Sequence, residues 1–506
     1  MPEYLAPGVF IEEIERGPKP IQGVETSTAA FLGETLRGPQ IPWLVTSYNE
    51  YVRIFGDIFD PSKYMPYAVK AFFDNGGRRC YVTRVVGEGS LKAAATLGEF
   101  TVTALGPGTA YNQVWVRIGP STSRNRAGDP VGFRLRVDYW ADPTLVPAAA
   151  GQIGTTAARA SLSEDFDDLS VEPDNGSYFK KLVNFFNSSL VEIDGPVGAA
   201  LPSDASSLLS NGADGSPVTP DSYEVNNADP SQRAGLAALD LDAFRSVAVV
   251  YAPGVDYVTA GKVITHCEKN RFRFAVVDAN RGEANVAMID PRTQVGDTKY
   301  GAFYYPWIWI RDPRSGDRKL IPPGGAVCGI YALSDNTRGV FKAPANETVA
   351  GAIDVEYDIN QASQEVLNPK GTNVIRRFPG RGIRVWGART LSSDPLWKYV
   401  SVRRLLIFLE ASICNSTQWV VLEPNDQRLW AQVKQTISLF LRTQWREGAL
   451  MGAKEVEAFS VVVGRDTMTE DDILNGRLIV QIGVALVRPA EFVILRIFQK
   501  TQQAKP

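Results

Sequence analysis

The chain has 506 residues, 44% of them hydrophobic and 22% charged, with a formal net charge of -3. That length predicts about three domains, each large enough for a sizeable core, and the near-neutral charge gives no bulk electrostatic basis for binding nucleic acid or an anionic membrane. Four scattered cysteines, Cys80, Cys267, Cys328 and Cys414, exclude a disulfide framework and predict reduced thiols in a protein that folds in a cytoplasm. The first residues, Met1-Pro2-Glu3-Tyr4, lack the basic stretch and apolar core of a signal peptide. No apolar run approaches the ~18 residues of a membrane span, so direct membrane insertion is not expected. A protein of this kind acting outside the cell would leave by lysis or as part of a particle.

Along the chain, Tyr4-Leu5-Ala6-Pro7-Gly8 turns into a short strand, Val9-Phe10-Ile11-Glu12-Glu13-Ile14, and residues 1–20 read as an amino-terminal arm. Residues 21–87 read as α/β: a strand at 29–33, a helix at 67–73 stopped by Asn75-Gly76-Gly77, and a strand at 80–86. From 88 to 245 the texture changes. Short β runs at 100–105, 114–118 and 133–139, with one helix at 178–190, are separated by Gly, Pro, Ser and Asp, which reads as an inserted, mostly β domain with long loops. Residues 246–345 return to α/β. A strand at 247–251, a helix at 258–269 and a strand at 272–278 form a βαβ unit with a right-handed crossover, and the aromatic run 303–310 should be buried.

Residues 346–487 are the most regular. A strand at 383–386 precedes a helix capped by Asp394, with Pro395 in its first turn, which runs to about 413; a strand follows at 419–422. Asn425 or Asp426 caps the best helix, with Leu429, Trp430, Val433, Ile437, Phe440, Leu441 and Trp445 on one stripe ending at Gly448. Strands at 456–463 and 478–487 flank a capped helical turn at Thr469-Glu470-Asp471-Asp472, and residues 488–506 form a carboxy-terminal arm. The fold class is a multi-domain α/β (α+β) protein.

The run 491–499 in that last arm is unusual for a chain end. Strand alternation places Phe492, Ile494 and Phe498 on one face and Val493, Leu495 and Ile497 on the other, with Arg496 the interior exception. Both faces need cover. Burying six such side chains at ~1.5–3 kcal/mol each contributes roughly 9–18 kcal/mol, an upper bound because unfolded chains are partly collapsed; an exposed ion pair contributes ~0–1 kcal/mol. With a similar run at the other end, the pattern fits either strands of a self-contained sheet or strands lent to neighbouring copies.

Catalytic chemistry is absent from the pattern. The turn Ala252-Pro253-Gly254-Val255-Asp256 lacks G-x-G-x-x-G, so the βαβ unit reads as structural and not as a nucleotide site. The single histidine, His266, has Lys262 and Asn270 one helical turn away on either side and is expected to face solvent. Without a second histidine, Ser-His, Cys-His and histidine-based zinc sites lose a base or ligands. The acidic clusters Asp471-Asp472 and Glu164-Asp165-Phe166-Asp167-Asp168 fit helix-start charge and a solvated loop, and Asp312 to Asp317 has too few oxygen ligands for calcium. No catalytic, cofactor or metal residues are assigned, and the chain is read as a non-enzyme.

The motifs from 329 to 492 appear in a characteristic order: Gly329 to Asn346, Leu367-Asn368-Pro369, Ile375-Arg376-Arg377-Phe378-Pro379-Gly380-Arg381-Gly382-Ile383, Val385-Trp386-Gly387-Ala388-Arg389-Thr390-Leu391, Trp397-Lys398-Tyr399-Val400, Glu423-Pro424-Asn425-Asp426, Met468-Thr469, Gly476-Arg477-Leu478 and Pro489-Ala490-Glu491-Phe492. With Tyr4 to Val9 at the front, this resembles the contractile tail sheath family of myophage tails, R-type pyocins and phage-tail-like extracellular contractile injection systems. The resemblance spans residues 1–87 and about 300–500. It does not extend closely to 88–245, as expected of a variable outer domain, and Leu333-Ser334 stands where many sheaths have Arg-Thr.

The resemblance implies a sheath core built from 21–87 and 346–487, with strand-exchanging arms. The implied function is a structural subunit that polymerises with itself as stacked hexameric rings in a helical sleeve around an inner tube. Contraction would drive the tube through a target envelope. Inner tube, baseplate and terminator or cap proteins are the implied partners, without nucleic acid, in a particle assembled in a bacterial cytoplasm. The implied arm residues are Tyr4, Pro7, Gly8, Val9, Phe10 and Ile11, and Phe492, Val493, Ile494, Leu495, Ile497 and Phe498. Arg428, Lys434, Arg442 and Arg446, opposite the apolar stripe, and Arg465 and Arg477 are candidates to face the tube, against a solvated helix face as the alternative. The competing readings are a closed, non-contractile strand-swapping structural or binding oligomer and a hydrolase using the acidic clusters.

Overall fold

The computed structural model describes residues 20–149, 159–185, 187–198 and 200–496. They fall into two units, one of residues 25–404 and a smaller one whose described residues are 20–24 and 405–496. The fold is mixed α/β, with several sheets and helices.

The larger unit is organised by a nine-stranded sheet in the order Glu347–Thr348, Gly382–Trp386, Thr372–Phe378, Gly301–Tyr305, Phe274–Asp278, Val249–Tyr251, Ala29–Gly33, Cys80–Arg84 and Trp43–Val45. The six strands from Thr372–Phe378 to Cys80–Arg84 run parallel, and antiparallel strands close both edges. Ala29–Gly33, Val249–Tyr251, Phe274–Asp278 and Gly301–Tyr305 are buried throughout. Such strands read as unbroken apolar runs because helices cover both faces of a parallel sheet. On one face Ala30, Val250, Ala275, Val277 and Phe303 pack with Val263, Ile264 and Cys267 of the helix Tyr257–Asn270 and with Leu236 and Leu239. On the other, Phe31 meets Phe72 edge to face at 5.3 Å and Tyr251 at 5.7 Å, and the hydroxyls of Tyr304 and Tyr331 lie 2.6 Å apart.

That second face is covered by two helices, Met65–Asp74 and Gly324–Arg338, which cross closely. Residues 324–332 of the second helix are buried without a break and leave no amphipathic stripe there, so periodicity does not announce it. Its glycines make the crossing possible: a Cβ on Gly325 would stand 2.5 Å from the Ala68 carbonyl oxygen, and one on Gly329 2.5 Å from that of Phe72.

The inserted region is antiparallel β, as its composition predicts. Lys92–Leu97, Phe100–Pro107 and Val191–Asp194 form one sheet; Ala205–Leu208, Val114–Pro120, Phe133–Tyr139 and Leu162–Leu169 form another. Phe100, Phe133 and Phe179 pack together in this region. Two buried arginines fasten it to the large sheet. Arg84 donates to the Gly38 and Pro107 carbonyls, and Arg37 donates to those of Val52 and Ile54 and stacks over the Tyr139 ring at 4.7 Å. The helix expected at 178–190 is only Phe179–Val183, because Asn184 is extended and Phe185 takes a left-handed φ of 55°.

Two buried titratable groups serve the fold. His266 is buried, contrary to its expected exposure, because the segment carrying Leu239 and Phe244 lies over that helix face. Arg273 donates to its Nε2 at 2.7 Å, and Asp240 Oδ1 lies 3.4 Å from its Nδ1. Burial, then Arg273, lowers its pKa to about 4. Asp278, at the end of its strand, accepts from the Tyr251 hydroxyl at 2.5 Å and the Gly324 amide at 2.8 Å. Burial pushes its carboxyl up to about 7 against those hydrogen bonds.

Two predictions follow from this packing and these charges. Gly329→Ala would gain ~0.5–1 kcal/mol in an open helix, but here it should cost about 1–3 kcal/mol because the facing backbone cannot yield; a denaturation midpoint above wild type would contradict the close crossing. For pH, a depressed folded pKa such as that of His266 contributes stability present above about 6.5 and lost as pH falls through about 4. The raised pKa of Asp278 contributes stability present below 3.8 and lost as pH rises through about 7. Denaturant melts between pH ~5 and ~8 should therefore show Asp278→Asn losing less stability with rising pH than wild type, and parallel curves would refute the assignment.

Candidate functional site

The smaller unit contains the surface that stands out. The described segment 20–24 runs along residues 405–416 of the helix Val400–Ser416: the Val24 amide donates to Ser412 Oγ at 3.0 Å and the Gln22 amide to Ser416 Oγ at 3.3 Å. The amphipathic helix is Gln427–Arg446, capped by Asp426, which accepts from the Leu429 amide at 2.9 Å. Of its predicted stripe, Leu429, Val433, Ile437, Phe440 and Leu441 are buried and Trp430 and Trp445 half-buried, and Gly448 follows with φ 87°. The helix packs on the strand Phe459–Val463, where Phe459 and Val461 are buried.

That strand pairs antiparallel with Val480–Val484, and beyond them Met451 and Val487 continue the ladder through Ala485 and Ala449. No third strand joins this sheet among the described residues. Gln481, Ile482 and Gly483 are exposed. A two-stranded ribbon is marginally stable alone, and an open edge carries a row of unpaired N–H and C=O groups. In the same unit, residues 491–496 lie outside any strand, with Val493, Ile494 and Leu495 exposed at 78%, 76% and 80% and Phe492 at 69%. The β run expected at 491–499 is thus absent from its described part. Tyr4, Pro7, Gly8, Val9, Phe10, Ile11, Ile497 and Phe498 lie outside the described residues.

The six candidate basic residues divide. Arg442 makes a bidentate pair with Glu455 at 2.8 and 2.9 Å, which holds the Glu455 carboxyl below its usual range. Arg477 pairs with Asp471 at 2.6 Å and Asp472 at 2.8 Å; the Thr469 amide and hydroxyl, then Arg477, hold Asp472 low. Arg428, Lys434, Arg446 and Arg465 are exposed and make no ion pair among the described residues.

One exposed element was not legible in the sequence. The strand expected at 419–422 is a 3-10 turn, Gln418–Val420, followed by Leu422 with a left-handed φ of 69° and complete exposure. The aliphatic run Val420-Val421-Leu422 mimics a strand by composition, and only Pro424 behind it signals a loop. Among the described residues no three His, Cys, Asp or Glu are placed to hold a metal, and no helix is long and apolar enough to cross a membrane.

Comparison with known families decides what this arrangement is. The model of the phage tail sheath protein central domain matches residues 232–391, and that of the phage tail sheath C-terminal domain matches residues 392–500, together just over half of the chain. The chain belongs to the phage tail sheath family. The sheath protein is similar to the tail sheath protein of Burkholderia phage BcepMu, 26% identical over 159 residues, which are 30% of this chain and 33% of that protein. A prophage tail sheath relative from Pseudomonas aeruginosa is 23% identical over 218 residues, 42% of this chain and 50% of the relative. The matched stretches thus span half or less of these curated relatives.

Two solved structures resemble the sheath protein over nearly all of both chains. One is the contracted helical sheath of the anti-feeding prophage, with a TM-score of 0.59 at 25% identity, covering 98% of this chain and 99% of that one. The other is the contracted sheath complex of the PVC extracellular contractile injection system, with a TM-score of 0.60 at 23% identity, covering 100% of both chains. The mixed α/β fold is therefore that of contractile sheaths.

Proposed function

We propose that the protein is the structural sheath subunit of a contractile, phage-tail-like injection machine. Copies stack as hexameric rings into a helical sleeve around an inner tube, with baseplate and terminator or cap proteins at its ends. Contraction then drives the tube through a target envelope. The observation that supports this reading best is the presence in one unit, among the described residues, of an exposed aliphatic run, Val493 to Leu495, and a ribbon of only two strands. Burying Val493, Ile494 and Leu495 at ~1.5–3 kcal/mol each gives roughly 5–9 kcal/mol per copy, while backbone hydrogen bonds would set the register. Lending residues 491–499 to the edge of a neighbour's ribbon at Phe459–Val463 or Val480–Val484 meets both needs. Residues 4–14 are proposed to act in the same way at the other end.

Such arms keep copies tethered while their bodies move. Packed interfaces switch between discrete arrangements and do not deform continuously, so the work of contraction is proposed to come from new contact area between copies. Arg428, Lys434, Arg446 and Arg465 are the charges left available for the tube. Arg442 and Arg477 already have carboxylate partners and are assigned to the fold. Assembly in a bacterial cytoplasm, with release as part of a particle, fits the scattered cysteines, and no catalytic step is assigned to the chain. The domain division proposed from sequence, with arms at 1–20 and 488–506 and an outer insert at 88–245, is retained on the same grounds.

Deleting residues 491–506 should leave a protein with wild-type circular dichroism that forms no sleeves by negative-stain electron microscopy; ordinary sleeves from the truncated chain would rule out strand lending. Lys434→Glu with Arg446→Glu should preserve sleeve formation but reduce co-sedimentation with the tube protein, more so at low salt. Unchanged co-sedimentation would remove this face from the tube contact.

A further inference from the structure

The central parallel sheet changes its winding direction at one place. Ala29–Gly33 leads through helices to Cys80–Arg84 on one side, while its neighbour on the other side, Val249–Tyr251, leads through Tyr257–Asn270 to Phe274–Asp278. The crevice outside the carboxyl ends of two strands that part in this way is where ligands sit in open α/β sheets. A cavity of about 220 Å³ occupies this crevice, between Gly33-Glu34 after the first strand and Pro253 to Asp256 after the second. The missing glycine fingerprint argues against a nucleotide, but it leaves other ligands open.

The lining of the cavity is specific. Its floor includes Tyr223, which is only 8% exposed and whose hydroxyl makes no hydrogen bond among the described residues. Burial, then the charges of Glu34 and Asp256, pushes that phenol up, so it keeps its proton and offers a neutral oxygen. Lys63 occupies one Glu34 oxygen at 2.5 Å, and the Thr259 amide donates to Asp256 Oδ1 at 2.7 Å. The other oxygen of each carboxylate takes no hydrogen bond among the described residues. The site therefore carries two carboxylates against one ammonium and has acceptors in excess. Met65, Val218 and Val255 supply apolar wall between them.

Acceptors and negative charge call for a cationic N–H donor, and the apolar wall calls for an aliphatic stem. We propose that this crevice binds an organic cation, a primary ammonium or guanidinium on an aliphatic stem, between the free carboxylate oxygens of Glu34 and Asp256 and the phenol oxygen of Tyr223. Two sources present that chemistry: a basic side chain of a second copy of this chain, or a free diamine.

Calorimetric titration of the purified full chain with Nα-acetyl-L-argininamide and with butane-1,4-diamine tests the site. Saturable binding of one equivalent, weakened by salt, is expected. Asp256→Asn keeps the helix cap, since Asn caps as well as Asp, and Tyr223→Phe keeps the ring. Each should weaken binding about tenfold in protein whose melting and circular dichroism remain wild type, and Glu34→Gln should do the same if either of the others fails to fold. Sedimentation in saturating argininamide separates the sources: a shift to smaller species assigns the site to a second copy's side chain, and unchanged sedimentation assigns it to a free cation. No saturable heat with either probe, or binding that these substitutions leave unchanged, would overturn the proposal.

Discussion

An apolar strand in water and an unpaired sheet edge are both costly, and the two units of this protein meet that constraint differently. In the larger unit every central strand has a hydrogen-bonded neighbour on each side and helices over each face. Four of those strands are buried throughout, and packing there extends to glycine-mediated backbone contact between Met65–Asp74 and Gly324–Arg338. In the smaller unit the described residues show a two-stranded ribbon and an exposed aliphatic run, Val493 to Leu495. The strand lending proposed above would require each copy to complete its smaller unit against another. Membership of the tail sheath family gives that requirement a purpose, because a sleeve needs joints that persist while rigid bodies rearrange.

Rigidity of the larger unit has its own physical basis. Arg37 and Arg84 are buried and make no ion pair among the described residues; they are held by backbone carbonyls and, for Arg37, by a tyrosine ring. Burying a guanidinium is expensive unless its donors are satisfied; carbonyls take Arg37 Nη1 and Nη2 and Arg84 Nη1, while the Nε of each has no partner among the described residues. These contacts lie where the inserted β sheets meet the large sheet, and they tie the insert to that body instead of leaving it on a flexible stalk.

The buried ionisable groups follow the same logic. His266 is neutral and clamped between Arg273 and Asp240, while Asp278 fixes the start of the helix Gly324–Arg338. Their effects on stability run in opposite directions between mildly acidic and neutral pH, so each offsets part of the other's pH dependence. The crevice beside Tyr223 combines polar groups that lack a hydrogen bond among the described residues with accessible space, and it lies where the sheet's connectivity forces a gap.

Local signals in the sequence determined a good deal by themselves. Runs rich in apolar residues at 29–33, 80–86, 247–251 and 272–278 marked the parallel strands. Asn425 or Asp426, the stripe that begins at Leu429 and Gly448 marked the helix Gln427–Arg446 and its ends, and the structure assigns the cap to Asp426. Ordered motifs pointed to the family, and alternation singled out the aliphatic carboxy-terminal run. Tertiary structure decided what depends on distant partners. Val420-Val421-Leu422 looks like a strand but is an exposed turn, since composition cannot say whether a neighbour exists to pair with. His266 looks solvent-facing on its helix but is covered by a segment some 25 residues earlier in the chain. Arg442 and Arg477 look free until Glu455, Asp471 and Asp472 are placed beside them. Periodicity and capping are properties of adjacent residues and can be read along the chain, whereas burial and ion pairing are properties of what the fold brings into contact.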